Sequence, residues 1–149
     1  MESEIKKGEV LTLEKAKNIF KEKEFTCLIF KDDLSFTSKE RGLKPLVHII
    51  ENKIELKGFH AVDKIIGNAA AICYVKIGIA SIHSPVVSKS ALETLKKHNI
   101  AITYDLLVDC ILNPDKTKPG PFEVLIKDAK SIDEAYTLIV NKMKDMKLI

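Results

Sequence analysis

The chain has no tryptophan, and of its 24 basic residues only Arg41 is an arginine. Fork-like, bidentate recognition of phosphate or guanine therefore has almost no raw material. Adjacent basic residues occur only as Lys6-Lys7 and Lys96-Lys97, and 21 acidic residues mixed among the basic ones leave a net charge of +3. No basic block is present to follow a nucleic-acid backbone, so nucleic acid is not an expected partner. Cysteine is also scarce. Cys27, Cys73 and Cys110 are odd in number and widely separated, which suits reduced core thiols better than a disulfide framework. No apolar run approaches the roughly 18–20 residues needed to span a bilayer, and Met1-Glu-Ser-Glu-Ile-Lys-Lys lacks the apolar centre of a signal peptide. The expected setting is the cytoplasm, with no membrane partner.

At 149 residues and 46% hydrophobic, the chain has the length and apolar content of one domain with a sizeable core. Leu13, Ala16, Ile19 and Phe20 recur at helical spacing behind Thr12, a natural N-cap. Phe25 to Phe30 is rich in β-branched and aromatic residues, and Lys31-Asp-Asp33 turns it into Leu34-Ser-Phe36-Thr, which predicts a hairpin. Pro45 favours the first turn of a helix carrying Leu46, Val47, Ile49 and Ile50.

After a break at Gly58, the run from Asp63 to Lys76 predicts a helix apolar on nearly every side, hence buried all round, and stopped by Gly78. Ile79 to His83 reads as a short strand running into a helix whose first turn holds Ser84-Pro85, with Ser88 or Ser90 as caps and capping-box spacing from Ser90 to Glu93. Asn99 ends that helix. Ile100 to Tyr104 reads as the next strand, parallel to the last through a helical crossover. Leu106 to Leu112 fits strand or helix. Asn113 to Pro121 is a loop by its prolines and glycine, Phe122 to Ile126 an edge strand, and Ser131 the cap of a last helix. The total is a three-layer α-β-α arrangement around a mixed sheet.

This order of elements resembles the cytidine-deaminase-like fold. Phe36-Thr-Ser38, Gly42-Leu-Lys-Pro-Leu46, Asp63-Lys-Ile-Ile-Gly-Asn-Ala-Ala-Ala71 and Val86-Val-Ser-Lys-Ser-Ala-Leu-Glu93 together resemble the prokaryotic family of domain of unknown function 1893. On that resemblance, residues 25–122 form the deaminase-like core, 1–24 an N-terminal helical extension and 123–149 a C-terminal strand and helix. The family implies architecture rather than activity.

Zinc deaminases hold their metal with a His or Cys on one helix and two Cys on the next, beside a proton-shuttling Glu. Here Val86 and Lys89 or their neighbours stand at the cysteine positions. The best register sets Ala61-Val-Asp63 against H-A-E, so Asp63 takes the acidic place while Ala61 replaces the metal-binding His and His60 sits one residue off. One histidine and one carboxylate make a poor zinc site. No metal or cofactor is expected. His48, His83 and His98 have no partner at metal spacing and read as structural or solvated.

What the resemblance leaves is a cleft at two helix starts, whose free amides suit an anion. The candidate ligand-binding residues are Ser38, Lys44, Asp63, Lys64, Asn68, Ser84 and Ser88. Each has a plainer role: Asp63 and Ser88 as N-caps, Ser84-Pro85 as a turn, Lys44 and Lys64 as solvated charges, Asn68 as a buried amide satisfying backbone. The leading expectation is a domain binding a small molecule such as a nucleobase, nucleotide or small anion. The alternatives are a metal-independent enzyme using Asp63 with Lys64, or Cys110 as nucleophile despite its neighbour Asp109, and a protein-interaction or homo-oligomerisation module built on exposed sheet edges.

Overall fold

The computed structural model describes residues 5–113 and 115–149; Met1 to Glu4, part of the N-terminal extension, and Pro114 of the proline-rich loop lie outside the described residues. Strand β1 (Lys6–Lys7) and helix α1 (Leu13–Glu22) precede the hairpin of β2 (Cys27–Lys31) and β3 (Leu34–Ser38). The two-residue turn places Asp32 at a positive φ of 54°, which a short polar side chain tolerates. Thr12 caps α1 by accepting from the Lys15 amide, as its sequence position predicts. Helix α2 (Lys44–Glu51) begins with Pro45 in its first turn.

Next come β4 (His60–Asp63), β5 (Ile65–Ile66), α3 (Asn68–Ile77), β6 (Ser81–Ser88), α4 (Lys89–Lys97), β7 (Ala101–Val108), α5 (Pro121–Ile126) and α6 (Ile132–Asp145). β2 runs antiparallel to β3 and β4, whereas β4, β5 and β7 run parallel to β6. Since β7 holds one edge of β6, β4 and β5 share the other as two stretches of one interrupted strand.

Period-2 alternation sorts the sheet's side chains between two apolar layers. Leu28, Phe30 and Val62 meet Ala16 and Phe20 of α1 on one face. Cys27, Ile29 and Ala61 join the other, which α2, α3, α4, α5 and α6 cover. The expected mixed sheet with helices on both faces is what forms. Helix α3 lies innermost: Ala69, Ala70, Ala71, Ile72, Cys73, Tyr74 and Ile77 are buried, and its alanines admit α2, α4 and α6 around it. Gly78 ends it in the left-handed conformation, at φ 86°.

Three expectations are corrected. The central helix starts at Asn68 rather than Asp63, because the β-branched pair Ile65-Ile66 pairs with Val86 and Val87 in the sheet before Gly67 begins the helix. Ser84-Pro85 lies inside β6 and not in a helix; the helix waits for Ser88, whose hydroxyl accepts from the Ala91 amide. Phe122 to Ile126 is helical, since Gly120-Pro121 places proline at the first helical position. The ambiguous stretch from Leu106 resolves as the continuation of β7 to Val108.

Candidate functional site

A proline inside a strand cannot donate to the ladder. Pro85 stands between the residues of β6 that pair with β4 and those that pair with β5, opposite the interruption at Asp63-Lys64. Freed from the ladder, the Lys64 amide turns back and donates to Asp63 Oδ1 at 2.7 Å. Asp63 Oδ2 accepts from Tyr74 Oη at 2.6 Å. Tyr74 is fully buried on α3, and its oxygen lies 3.5 Å from Cys27 Sγ. A polar chain of Cys27, Tyr74 and Asp63 thus runs from the core to a cleft.

That cleft has a volume of about 410 Å³, inside the range of about 300–1,000 Å³ typical of small-molecule sites. Thr26, Arg41, Leu43, Asp63, Lys64, Ile65, Phe122 and Glu123 are among its walls. It sits where the parallel strands end and α3 begins, the side of an open α/β sheet where ligands commonly bind. Burial lifts the Asp63 carboxyl from the ordinary 3.8 to about 6, against the opposing pull of the Tyr74 hydroxyl and the Lys64 and Ile65 amides. Burial and the adjacent carboxylate push the Tyr74 phenol well above its ordinary range. Burial and Asp63 push the Cys27 thiol up, so that thiol is a neutral core group.

The amides at the start of α3 are already occupied. Glu123 Oε1 accepts from the Asn68 amide at 2.8 Å, and Oε2 from the Ala69 amide at 3.0 Å. A carboxylate so placed satisfies two orphan donors and lies at the positive end of the helix. Gly67 permits the approach, because a Cβ there would stand 3.1 Å from the Glu123 carboxylate carbon. Sequence reading missed Glu123. Its signal is long-range, 55 residues from Asn68, and no local spacing announces it.

Of the residues named from sequence, Asp63 and Lys64 line the cleft. The others have local roles. Ser38 is buried and accepts from the Glu40 amide, and Lys44 lies 3.9 Å from Glu40 across an exposed turn. The Asn68 side chain accepts from Thr94 at 2.5 Å. Ser84 is fully buried and donates to the Val86 carbonyl. Ser88 caps α4. Arg41, the one arginine, was not singled out as a site residue and stands in the cleft wall.

His60 faces away from Asp63, toward α1: its ring is 5.6 Å from Phe30 and its Nδ1 is 2.6 Å from Ser81 Oγ. His83 bonds Thr103 through Nδ1, and burial with the nearby Lys17 lowers its pKa. His48 bonds Asn52 and His98 bonds the Thr94 carbonyl. Among the described residues, no group of three or more His, Cys, Asp or Glu is placed to hold a metal ion. Cys110 is half-buried and is not part of the cleft wall. No helix is long and apolar enough to cross a membrane among the described residues.

Comparison with known proteins agrees with this architecture. No curated protein matches the chain. The crystal structure of a DUF1893 family protein (TM1506) from Thermotoga maritima superposes with a TM-score of 0.82 at 29% identity, covering 92% of this chain and 95% of that one. The family model described as Domain of unknown function (DUF1893) matches residues 15–143. The chain belongs to the DUF1893 family.

Proposed function

We propose that this protein is a small-ligand-binding domain whose cleft takes a nucleobase-like heterocycle. The observation that carries the reading is the half-buried Asp63 carboxyl, poised at about 6 in a cleft of about 410 Å³. Asp63 offers an acceptor to ring or exocyclic N–H groups when ionised. The apolar sides of Leu43, Ile65 and Phe122 suit a flat ring, and Arg41 and Lys64 stand in the same wall for a polar or anionic substituent. A free anion at the start of α3 is a poorer candidate, since Glu123 holds those amides. Two helices starting at the same end of parallel strands also support the deaminase-like reading of the scaffold.

A thermal-shift series with cytosine, adenine, their nucleosides and nucleotides, and inorganic phosphate tests this. A ligand at about a hundred times its dissociation constant adds about 2.7 kcal/mol. The expected result is a rise in Tm with a base or nucleoside and none with phosphate. Glu123→Ala loses about 1 kcal/mol through the vacated helix start and gains stabilisation by phosphate, which now reaches the amides. No shift with any base, nucleoside or nucleotide would refute the reading.

The raised Asp63 pKa also favours a second reading, a metal-independent enzyme with Asp63 as general base. Asp63→Asn separates the two: it abolishes turnover while an isosteric amide still accepts one hydrogen bond from a bound heterocycle.

A further inference from the structure

A second cavity, of about 590 Å³, lies on the opposite face of the sheet from the cleft, between α1 and strands β6 and β7. Helix α1 packs through Ala16 and Phe20 on Leu28, Phe30 and Val62, so it covers β2 and β4. His83 pairs in register with Val62, and Thr103 with His83. Period-2 alternation therefore brings His83, Pro85 and Asp105 to the same face, beyond the helix. Parallel strands ordinarily have both faces covered; here a polar cavity stands over them instead.

The charges around it do not neutralise one another. Lys17 and Lys21 from α1, Glu24 just after that helix, Lys64 from the interruption after β4 and Asp105 from β7 all line the cavity. None of the five forms an ion pair among the described residues. Lys17 and Lys21 stand four residues apart, a spacing at which like charges oppose a helix. In the strand wall lies His83, only 8% exposed. Its Nδ1 is 2.8 Å from Thr103 Oγ1, and its Nε2 has no hydrogen-bond partner among the described residues. No sealed side-chain nitrogen or oxygen among them lacks a partner, so Nε2 opens into the cavity it lines. Burial, and then Lys17, favour the neutral ring.

We propose that this cavity binds a free acidic amino acid of the glutamate type, at a site separate from the cleft and independent of the reading given for it. With His83 neutral, three lysines against two carboxylates leave the wall one net positive charge. Glutamate, with two carboxylates and one ammonium, brings one net negative charge. Its carboxylates answer the lysines, and its ammonium answers Asp105 across the cavity from α1. With Thr103 donating to Nδ1, the ring hydrogen sits on Nε2 and is donated to a ligand carboxylate. Val62 and Pro85 give the methylenes an apolar surface. A phosphate monoester would satisfy the lysines but set its charge against Asp105 and Glu24.

Chemical-shift mapping of the backbone amides with L-glutamate tests the site, with L-glutamine and glutarate as ligands lacking the second carboxylate and the ammonium. Glutamate is expected to move the Lys21, His83 and Asp105 amides saturably and to leave those of Phe122 and Glu123, in the cleft wall, in place. Lys21→Met weakens glutamate about fivefold, the size of one exposed charge pair, with an unchanged Tm, and glutamine binds more weakly by about the same factor. Asp105→Asn weakens glutamate and strengthens glutarate, which has no ammonium for the carboxylate to meet. No saturable shift with millimolar glutamate, shifts confined to Phe122 and Glu123, or an Asp105→Asn effect of the same sign on both ligands would overturn the proposal.

Discussion

Asp63→Asn changes how stability depends on pH more than it changes stability itself. The folded protein holds the Asp63 carboxyl at about 6 against an ordinary 3.8. A carboxyl raised on folding contributes stability that is full below about pH 4 and is lost as pH climbs through 6. Full burial would make that loss about 3 kcal/mol; at a half-buried site solvent trims it to about 1–2 kcal/mol. Asparagine does not ionise. Its oxygen keeps the Lys64 amide, while its NH₂ donates to Tyr74 Oη, whose own hydrogen turns toward Cys27 Sγ. Urea unfolding from pH 4 to 8 therefore shows the variant gaining about 1–2 kcal/mol on the wild type as pH rises. Parallel stability curves would contradict the assigned titration.

Tyr74→Phe has the opposite sign. The phenol donates to a carboxylate that is ionised above pH 6, and hydrogen bonds to charged groups contribute about 1.5–3 kcal/mol. At pH 8 the variant loses that amount; at pH 4, with Asp63 protonated, it loses about 1 kcal/mol. Removing the donor also raises the Asp63 pKa further, because the phenol is its largest stabiliser. Combined with Asp63→Asn the two effects are not additive, as befits groups in one chain of hydrogen bonds. A cost at pH 8 no greater than at pH 4 would show that the phenol does not serve the carboxylate.

Local signals made most of the framework legible. The hairpin, the caps Thr12 and Ser131, the all-apolar central helix and the stop at Gly78 each depend on residues a few positions apart, and the structure has them all. The errors come where an apolar run has two readings. Ile65-Ile66 fits helical spacing with Ala69 and Ala70, yet the strand β6 beside it decides in favour of sheet. Phe122 to Ile126 reads as an edge strand from its apolar run, and Gly120-Pro121 is the helix signal that reading passes over.

The candidate site was half legible. Asp63 and Lys64 were singled out and both line the cleft, although the reason was a helix start that does not exist there. Pro85 was noticed as a turn, whereas it marks the interruption of the ladder beside which the Asp63 carboxyl takes its partners. Glu123 joins the cleft wall from a distant segment, and Tyr74 bonds Asp63 from within the core; contacts of this kind leave no local pattern in one sequence.

The most direct measurement is a 13C NMR titration of the Asp63 side-chain carboxyl, alone and with cytosine or adenine. The midpoint expected for the free protein is near 6. Saturating base lowers it, since an N–H donor at the carboxylate favours the charged form. A midpoint near the ordinary 3.8, unmoved by any base, would contradict a poised carboxyl in a ligand cleft.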